Sequence, residues 1–179
     1  MRWRTFVPYN NSYPILFESE KQRLQAAIGN VAIEHFGSTA VPGLGGKGYV
    51  DIYMAVPKRE MKKYSLKVQK LGYEHRPGGD VAGERFFHKR KQINKNGKMI
   101  TFNLHITYLG SENLKTCLAF RDYLRQHTED SKKYAKAKKA AVKAANREKE
   151  RQGAVQVYMK SKLEIIKDIS QKIVPDKVY

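Results

Sequence analysis

The residues best suited to chemistry fall in one stretch, His35-Phe36-Gly37-Ser38-Thr39-Ala40-Val41-Pro42-Gly43-Leu44-Gly45-Gly46-Lys47-Gly48-Tyr49-Val50-Asp51-Ile52. Glycines let a backbone approach a phosphate closely and leave N–H groups free to line an anion nest. Ser38 and Thr39 add hydroxyl donors and Lys47 adds a point charge. Asp51 adds a carboxylate able to hold a divalent cation that bridges to the same phosphates. The stretch is not a Walker A loop, which needs glycine where Val41 stands and Ser or Thr where Gly48 stands. No G-x-G-x-x-G opens a long helix here either. A glycine-rich strand connection without a ligand has the same composition, so on the residues alone both readings stay open.

Other groups extend the set. Arg85 offers a guanidinium fork that matches phosphate oxygens, against the plainer reading of a surface ion pair. Asp51 sits among apolar neighbours, where a carboxylate is costly unless it is ligated or paired, Lys47 and Arg85 being the available cations. Glu34, Glu84, His88 and His105 are further metal-type side chains. His35 precedes the glycine turn and reads as a brace for it. Cys117, beside Leu114 and Leu118 on a predicted helix, reads as buried and inert.

These residues need elements to position them. Residues 14–28 read as a helix, with Pro14 in its first turn, Leu16, Leu24 and Ile28 at helical spacing, and Gly29-Asn30 as the stop. Residues 31–36 form a short β-type run ending at Gly37. Residues 49–56 alternate most clearly: Val50, Ile52, Met54 and Val56 on one face, Tyr49, Asp51 and Tyr53 on the other. A basic amphipathic helix is expected over 58–71 and a loop over 76–83. Strands over 84–91 and 98–108 flank a turn at Asn94-Lys95-Asn96-Gly97. In the second of these, Asn103, His105 and Thr107 share one face and Leu104 and Ile106 the other. Helices follow from Ser111 to about 127, from Thr128 with an inner stripe Tyr134–Ala137–Ala141–Ala144, and over 154–173 with Val155, Met159, Ile166, Ile169 and Ile173 inward. Strands alternating with helices first, and helices alone afterwards, predict an α/β or α+β core with a C-terminal helical part.

The chain has 179 residues, and 41% of them are hydrophobic, enough for a core and too many for a disordered chain. No apolar run approaches the ~20 residues of a bilayer span. The residues after Met1 lack the pattern of a signal peptide, and one cysteine excludes an intrachain disulfide, so a cytoplasmic location is expected. The net charge is +18. Thirteen basic residues against four acidic ones lie between 132 and 172, and Arg85, Lys89, Arg90, Lys91, Lys95 and Lys98 form a second concentration. Such a field favours polyanions. Lys133, Lys136, Lys143 and Arg147 fall away from the alanine stripe, so this charge reads as a solvated face with at most nonspecific affinity for nucleic acid.

Glu34-His35-Phe36-Gly37-Ser38-Thr39-Ala40-Val41-Pro42-Gly43-Leu44, followed by Lys47 and Val50-Asp51-Ile52, resembles the signature of the GrpB-like family. Leu71-Gly72-Tyr73, Arg85-Phe86-Phe87, Asn103-Leu104-His105-Ile106 and Phe120-Arg121-Asp122-Tyr123-Leu124-Arg125 continue the resemblance. Tyr134 with Lys138 and Tyr158 with Lys162 complete it, so it covers about residues 12–173. It implies a nucleotidyltransferase-like mixed sheet flanked by helices: an α/β core over 1–110 and C-terminal helices over 111–179, packed as one unit. It also implies that Gly37-Ser38 is the turn that binds a nucleoside triphosphate and that Asp51 is the first of two metal-holding acids. The second acid is absent, because Tyr53 stands in its place, and the strand carrying His105 is the source left for another ligand. Gly48 also departs from the proline usual after the family's lysine.

Three functions follow from this reading. The first is a nucleotidyltransferase binding a nucleoside triphosphate, or a related phosphorylated small molecule, with Mg²⁺ or Mn²⁺. Asp51 and His105 would act at the metal, while Ser38, Thr39, Lys47 and Arg85 would hold phosphate. The second is a binding module without catalysis, which Tyr53 favours. The third is a basic nucleic-acid-binding protein. No membrane partner is expected.

Overall fold

The computed structural model describes residues 5–94 and 97–173. Helix α1 (Tyr13–Ile28) is followed by β1 (Ala32–Phe36), a 3₁₀ turn (Ser38–Ala40) and β2 (Tyr49–Val56). Then come a 3₁₀ turn at Lys58–Glu60, α2 (Met61–Lys70), β3 (Glu74–His75), β4 (Arg85–Gln92) and β5 (Met99–Tyr108). Three helices close the chain: α3 (Glu112–Gln126), α4 (Thr128–Ala145) and α5 (Arg151–Ile173). The five strands form one mixed sheet in the order β1-β2-β5-β4-β3. Only the central pair, β2 and β5, is parallel. Its members are joined through α2 and the β3–β4 hairpin, the long crossover a parallel pair requires.

Strand alternation gives the sheet two different faces. Val50, Ile52, Met54 and Val56 of β2 and Ile100, Phe102, Leu104 and Ile106 of β5 pack with Leu24 and Ile28 of α1 and Val68 of α2. This is the main core. A charged knot lies at its edge: Glu20 of α1 is 1% exposed and is held by Arg23, the Tyr73 hydroxyl and Lys89. The other face carries Tyr49, Asp51, Tyr53, Asn103 and His105 and is covered by the C-terminal helices. Val41 and Leu44 of the glycine-rich connection pack there with Leu124, Tyr134 and Ile169. Ala141 and Ala145 of α4 pack with Ala154 and Tyr158 of α5.

Several expectations need correction. The helix expected over 58–71 begins with the 3₁₀ turn, and β3 lies next to the stretch expected as a loop. Lys95 and Asn96 of the expected turn lie outside the described residues. On α4 the buried face is Tyr134, Lys138, Ala141, Val142 and Ala145, while Ala137 and Ala144 are only half-buried. On α5, Ala154, Tyr158 and Ile169 face inward, and Val155, Met159 and Leu163 are exposed. Tyr134 and Ala141 of α4 and Ile166, Ile169 and Ile173 of α5 pack inward as expected. The buried faces depart from the apolar pattern at Lys138, Val142 and Ala145 of α4 and at Ala154 and Tyr158 of α5, where Lys138 and Tyr158 line the sheet-side cavity. Among the described residues no helix is long and apolar enough to cross a membrane.

Candidate functional site

A cavity of about 380 Å³ lies between the polar face of the sheet and α3–α5. That volume falls in the range of small-molecule sites. On the sheet side it is lined by Gly37, Ser38, Lys47, Tyr49, Asp51, Asn103 and His105. On the helix side it is lined by Cys117, Phe120 and Arg121 of α3, Tyr134 and Lys138 of α4, and Tyr158 and Lys162 of α5.

The glycine-rich connection is required sterically. Gly37 has φ 71°, and a Cβ there would overlap the Asp51 carboxylate. A Cβ on Gly46 would overlap the Ser38 hydroxyl and stand 3.0 Å from Lys138 Nζ. The Gly37–Ser38 turn, Asp51 and Lys138 are therefore close neighbours. Asp51 is oriented by the residue directly opposite it on β5, Asn103, whose Nδ2 donates to Oδ1 at 2.8 Å.

Helix α3 fixes both ends of the turn. Arg121 donates to the carbonyl of His35 at 2.8 Å and to Glu34 at 2.9 Å, and Arg125 donates to the carbonyl of Ala40 at 2.9 Å. Thr39 turns away from the cavity: its hydroxyl donates to the carbonyl of Tyr49 and accepts from His35 Nε2 at 3.0 Å. His35, stacked on Phe17, is the brace that the sequence suggests. Burial, reinforced by Arg125 and Arg121, holds its pKa down at about 4.

The electrostatics are dominated by lysines. Lys138 is 6% exposed, its ammonium sits 5.3 Å from the Tyr134 ring, and among the described residues no carboxylate lies within ion-pair distance. Burial pushes its pKa down to about 7, helped by the charges of Lys162 and Lys47 and opposed by Asp51. Burial also lowers Lys162, again against Asp51. The ammoniums of Lys47 and Lys162 stand 4.7 and 5.3 Å from the Tyr158 ring. Among the described residues Asp51 is the only carboxylate lining the cavity. The described lining thus sets Lys47, Lys138, Lys162 and Arg121 against the single carboxylate of Asp51.

The cavity brings together Gly37, Ser38, Lys47, Asp51 and His105. Arg85 is elsewhere. It shares the opposite sheet face with Phe87, is paired with Asp80 at 3.0 Å, and is well exposed. His105 shares the face of Asp51 but opposes Tyr53, and its Nδ1 lies 2.5 Å from Glu84. Glu34 is held by Arg121. His88 leans on Asn103 at 3.4 Å. Cys117 is half-buried and lines the cavity, with its thiol pKa raised by burial. Lys138 and Lys162 were legible only as parts of the repeated Tyr-x-x-x-Lys spacing. That spacing puts tyrosine and lysine on one helix face, and so marks these two lysines off from the solvated ones.

The sheet and helices define a nucleotidyltransferase fold. A crystal structure of the Cid1 poly(U) polymerase bound to MgATP aligns with TM-score 0.50 over 77% of this chain and 45% of that one, at 13% identity, which speaks to fold alone. The chain belongs to the GrpB protein family, whose profile matches residues 5–172. The crystal structure of GrpB from Enterococcus faecalis aligns with TM-score 0.76 at 26% identity, covering 96% of this chain and 98% of that one. UPF0157 protein BH1888 of Halalkalibacterium halodurans is 32% identical over 94% of this chain and 81% of its own length. UPF0157 protein YqkA of Bacillus subtilis is 32% identical over 74% of this chain, and the match spans 38% of that relative's length.

Proposed function

We propose that the cavity binds a nucleoside triphosphate, or a closely related phosphorylated small molecule, with its phosphates on Ser38, Lys47, Lys138 and Lys162. The observation that carries this reading is the convergence of three lysines, from the glycine-rich connection, α4 and α5, on one cavity bordered by the Gly37–Ser38 turn. Burying Lys138 without a carboxylate partner is costly, and a bound polyanion removes that cost. The MgATP complex of the fold neighbour Cid1 supports the same ligand class.

The donors do not fit a two-metal centre. Tyr53 replaces the second acid, and no group of three or more His, Cys, Asp or Glu side chains suited to a metal occurs among the described residues. They fit one Mg²⁺ or Mn²⁺ that arrives on the phosphates and meets Asp51, since Mg²⁺ is commonly bound by one or two carboxylates plus substrate phosphates. Such a cation would neutralise phosphate charge beside Asp51.

Binding is tested by calorimetry with ATP, GTP, CTP and UTP, with and without Mg²⁺. Saturable, metal-enhanced binding that weakens in Lys138→Met is expected, and equal binding by the variant would overturn the assignment. Nucleotidyl transfer is a further step beyond binding, favoured by Asp51 lying against the phosphate turn. A binding role alone is favoured by Tyr53, and turnover of labelled nucleotide separates the two.

A further inference from the structure

The geometry points to His105 as the group that takes the proton of an acceptor hydroxyl or amine during nucleotidyl transfer, with Glu84 and Tyr53 as its positioning residues. The inference rests on the nucleotide reading of the cavity and adds the part that a second metal ion would otherwise supply.

Glu84 is 6% exposed, yet both its oxygens are used. Oε1 meets His105 Nδ1 at 2.5 Å, and Oε2 accepts from the Tyr53 hydroxyl at 2.9 Å. A carboxylate can only accept, so Nδ1 carries the hydrogen and Nε2 is the ring nitrogen left to face the cavity. Nε2 has no partner among the described residues, and the ring borders the cavity. The ring is packed between Phe36 and Phe86, whose centroids lie 5.1 and 4.8 Å away, so its plane is held as well as its tautomer. Burial keeps the Tyr53 phenol protonated, and therefore a donor to Glu84.

The residue that costs the chain its second acid thus helps to build the histidine–carboxylate pair. Two-metal enzymes activate the attacking oxygen partly by metal contact. With Asp51 the one carboxylate lining the cavity among the described residues, we assign that part to a side-chain base. Cys117, with its thiol pKa raised by burial, is a poor proton acceptor, and Lys138 sits at the phosphate end beside Ser38.

His105 lies two residue pairs along the sheet from Asp51 and Asn103, on the same face. Two residues of strand span about 7 Å. An acceptor between them would stand between Nε2 and an α-phosphorus bound near Asp51. The acceptor oxygen bonds to that phosphorus while the bond to the bridging oxygen of the β-phosphate breaks. The electron pair leaves on pyrophosphate, and the acceptor's proton goes to Nε2 and then to water.

Two measurements test this. Nitrogen-15 NMR of the full chain should show His105 with hydrogen on Nδ1 and none on Nε2. In Glu84→Gln, whose amide can donate or accept, that single tautomer should be lost. A wild-type ring protonated on Nε2 alone would overturn the inference. The second measurement follows α-labelled ATP with Mg²⁺ or Mn²⁺ and with water or glycerol as acceptor. Slow release of pyrophosphate with labelled AMP or its glycerol ester is expected. His105→Gln should lower kcat by about 10²–10⁴-fold, the usual worth of a general base, with KM unchanged. Glu84→Gln and Tyr53→Phe should give smaller losses, also in kcat, and they serve if His105→Gln fails to fold. ATP binding without conversion, or an undiminished rate in His105→Gln, overturns this inference and leaves the binding reading intact. Absence of ATP binding in calorimetry removes both.

Discussion

Asn103 and Asp51 stand directly opposite each other on the two parallel strands and are joined by one 2.8 Å hydrogen bond. The carboxylate is thereby held against the Gly37–Ser38 turn, while its second oxygen, over Gly37, stays clear of Asn103. Asp51→Asn keeps the shape and removes the charge. It should abolish the Mg²⁺-dependent part of nucleotide affinity without loss of fold. In the presence of a chelator the variant should bind ATP at least as tightly as wild type, because the one carboxylate lining the cavity among the described residues is gone. Calorimetry with and without Mg²⁺ reads both effects, and matched loss of fold and binding would mark Asp51 as structural.

Lys138 makes a pH prediction. Its folded pKa, about 7, is below the ordinary 10.5, so between these values the unfolded chain binds more protons and stability rises with pH. Below pH 7 the cost is fully present. Lys138→Met should therefore stabilise the unliganded protein near pH 6, by an amount on the order of a few kcal/mol, and flatten the rise between pH 7 and 10. Thermal melts across pH check this. Binding of a polyphosphate at pH 8 should be accompanied by proton uptake, read from calorimetry in buffers of differing ionisation enthalpy.

His35 acts in the acid range. Its folded pKa near 4 lies below the ordinary 6.5, so stability is complete above about 6.5 and falls as the pH drops toward 4. The loss should be about 3 kcal/mol. Chemical denaturation at pH 7 and pH 4.5 should show a smaller difference in His35→Asn than in wild type.

Arg121 and Arg125 hold the His35 and Ala40 carbonyls on either side of the Gly37–Ser38 turn. Arg125→Met should leave the Ala40 carbonyl without its donor and cost about 1–3 kcal/mol of stability. Amide exchange at Ser38 and Thr39 should speed up, and nucleotide affinity should fall although Arg125 does not line the cavity. Unchanged exchange at the turn would show that the clamp is redundant.

The outer lysines of α4 give a salt prediction. Lys133, Lys136, Lys143 and Arg147 are exposed. Any RNA or DNA affinity should therefore fall by orders of magnitude as salt rises, if about 6–10 phosphates are contacted. Competition among several sequences at two salt concentrations measures this. A sequence preference above about 3 kcal/mol would instead point to base-edge contacts.

Much of the fold was legible where period and punctuation agree. The alternation of β2 separates Val50, Ile52, Met54 and Val56 from Asp51 and Tyr53, and that is the arrangement found. The inner faces of α4 and α5 depart from the apolar pattern only in part, at Lys138, Val155 and Met159 above all, and for a physical reason. Apolar periodicity cannot show that a lysine faces inward when what it faces is a cavity rather than a core, so Lys138 was counted with the solvated charge. Arg85 illustrates the converse. Its residue type suits phosphate, but strand parity sends it to the face of Phe87. The Glu84–His105 contact joins residues 21 apart, across two strands, and no local pattern encodes it.

The three cavity lysines come from segments far apart along the chain: Lys47 from the connection before β2, Lys138 from α4 and Lys162 from α5. An anion grasped by all three therefore acts as a reversible crosslink, closing long loops of polypeptide around a single small molecule. Loop-closure entropy grows only slowly with loop length, so such a staple tightens the whole tertiary arrangement and not just the neighbourhood of the ligand. Ligand concentration then becomes a term in the folding equilibrium. Substitutions far from the cavity that weaken the packing of α4 and α5 on the sheet would be masked in a ligand-rich cell and exposed in a depleted one.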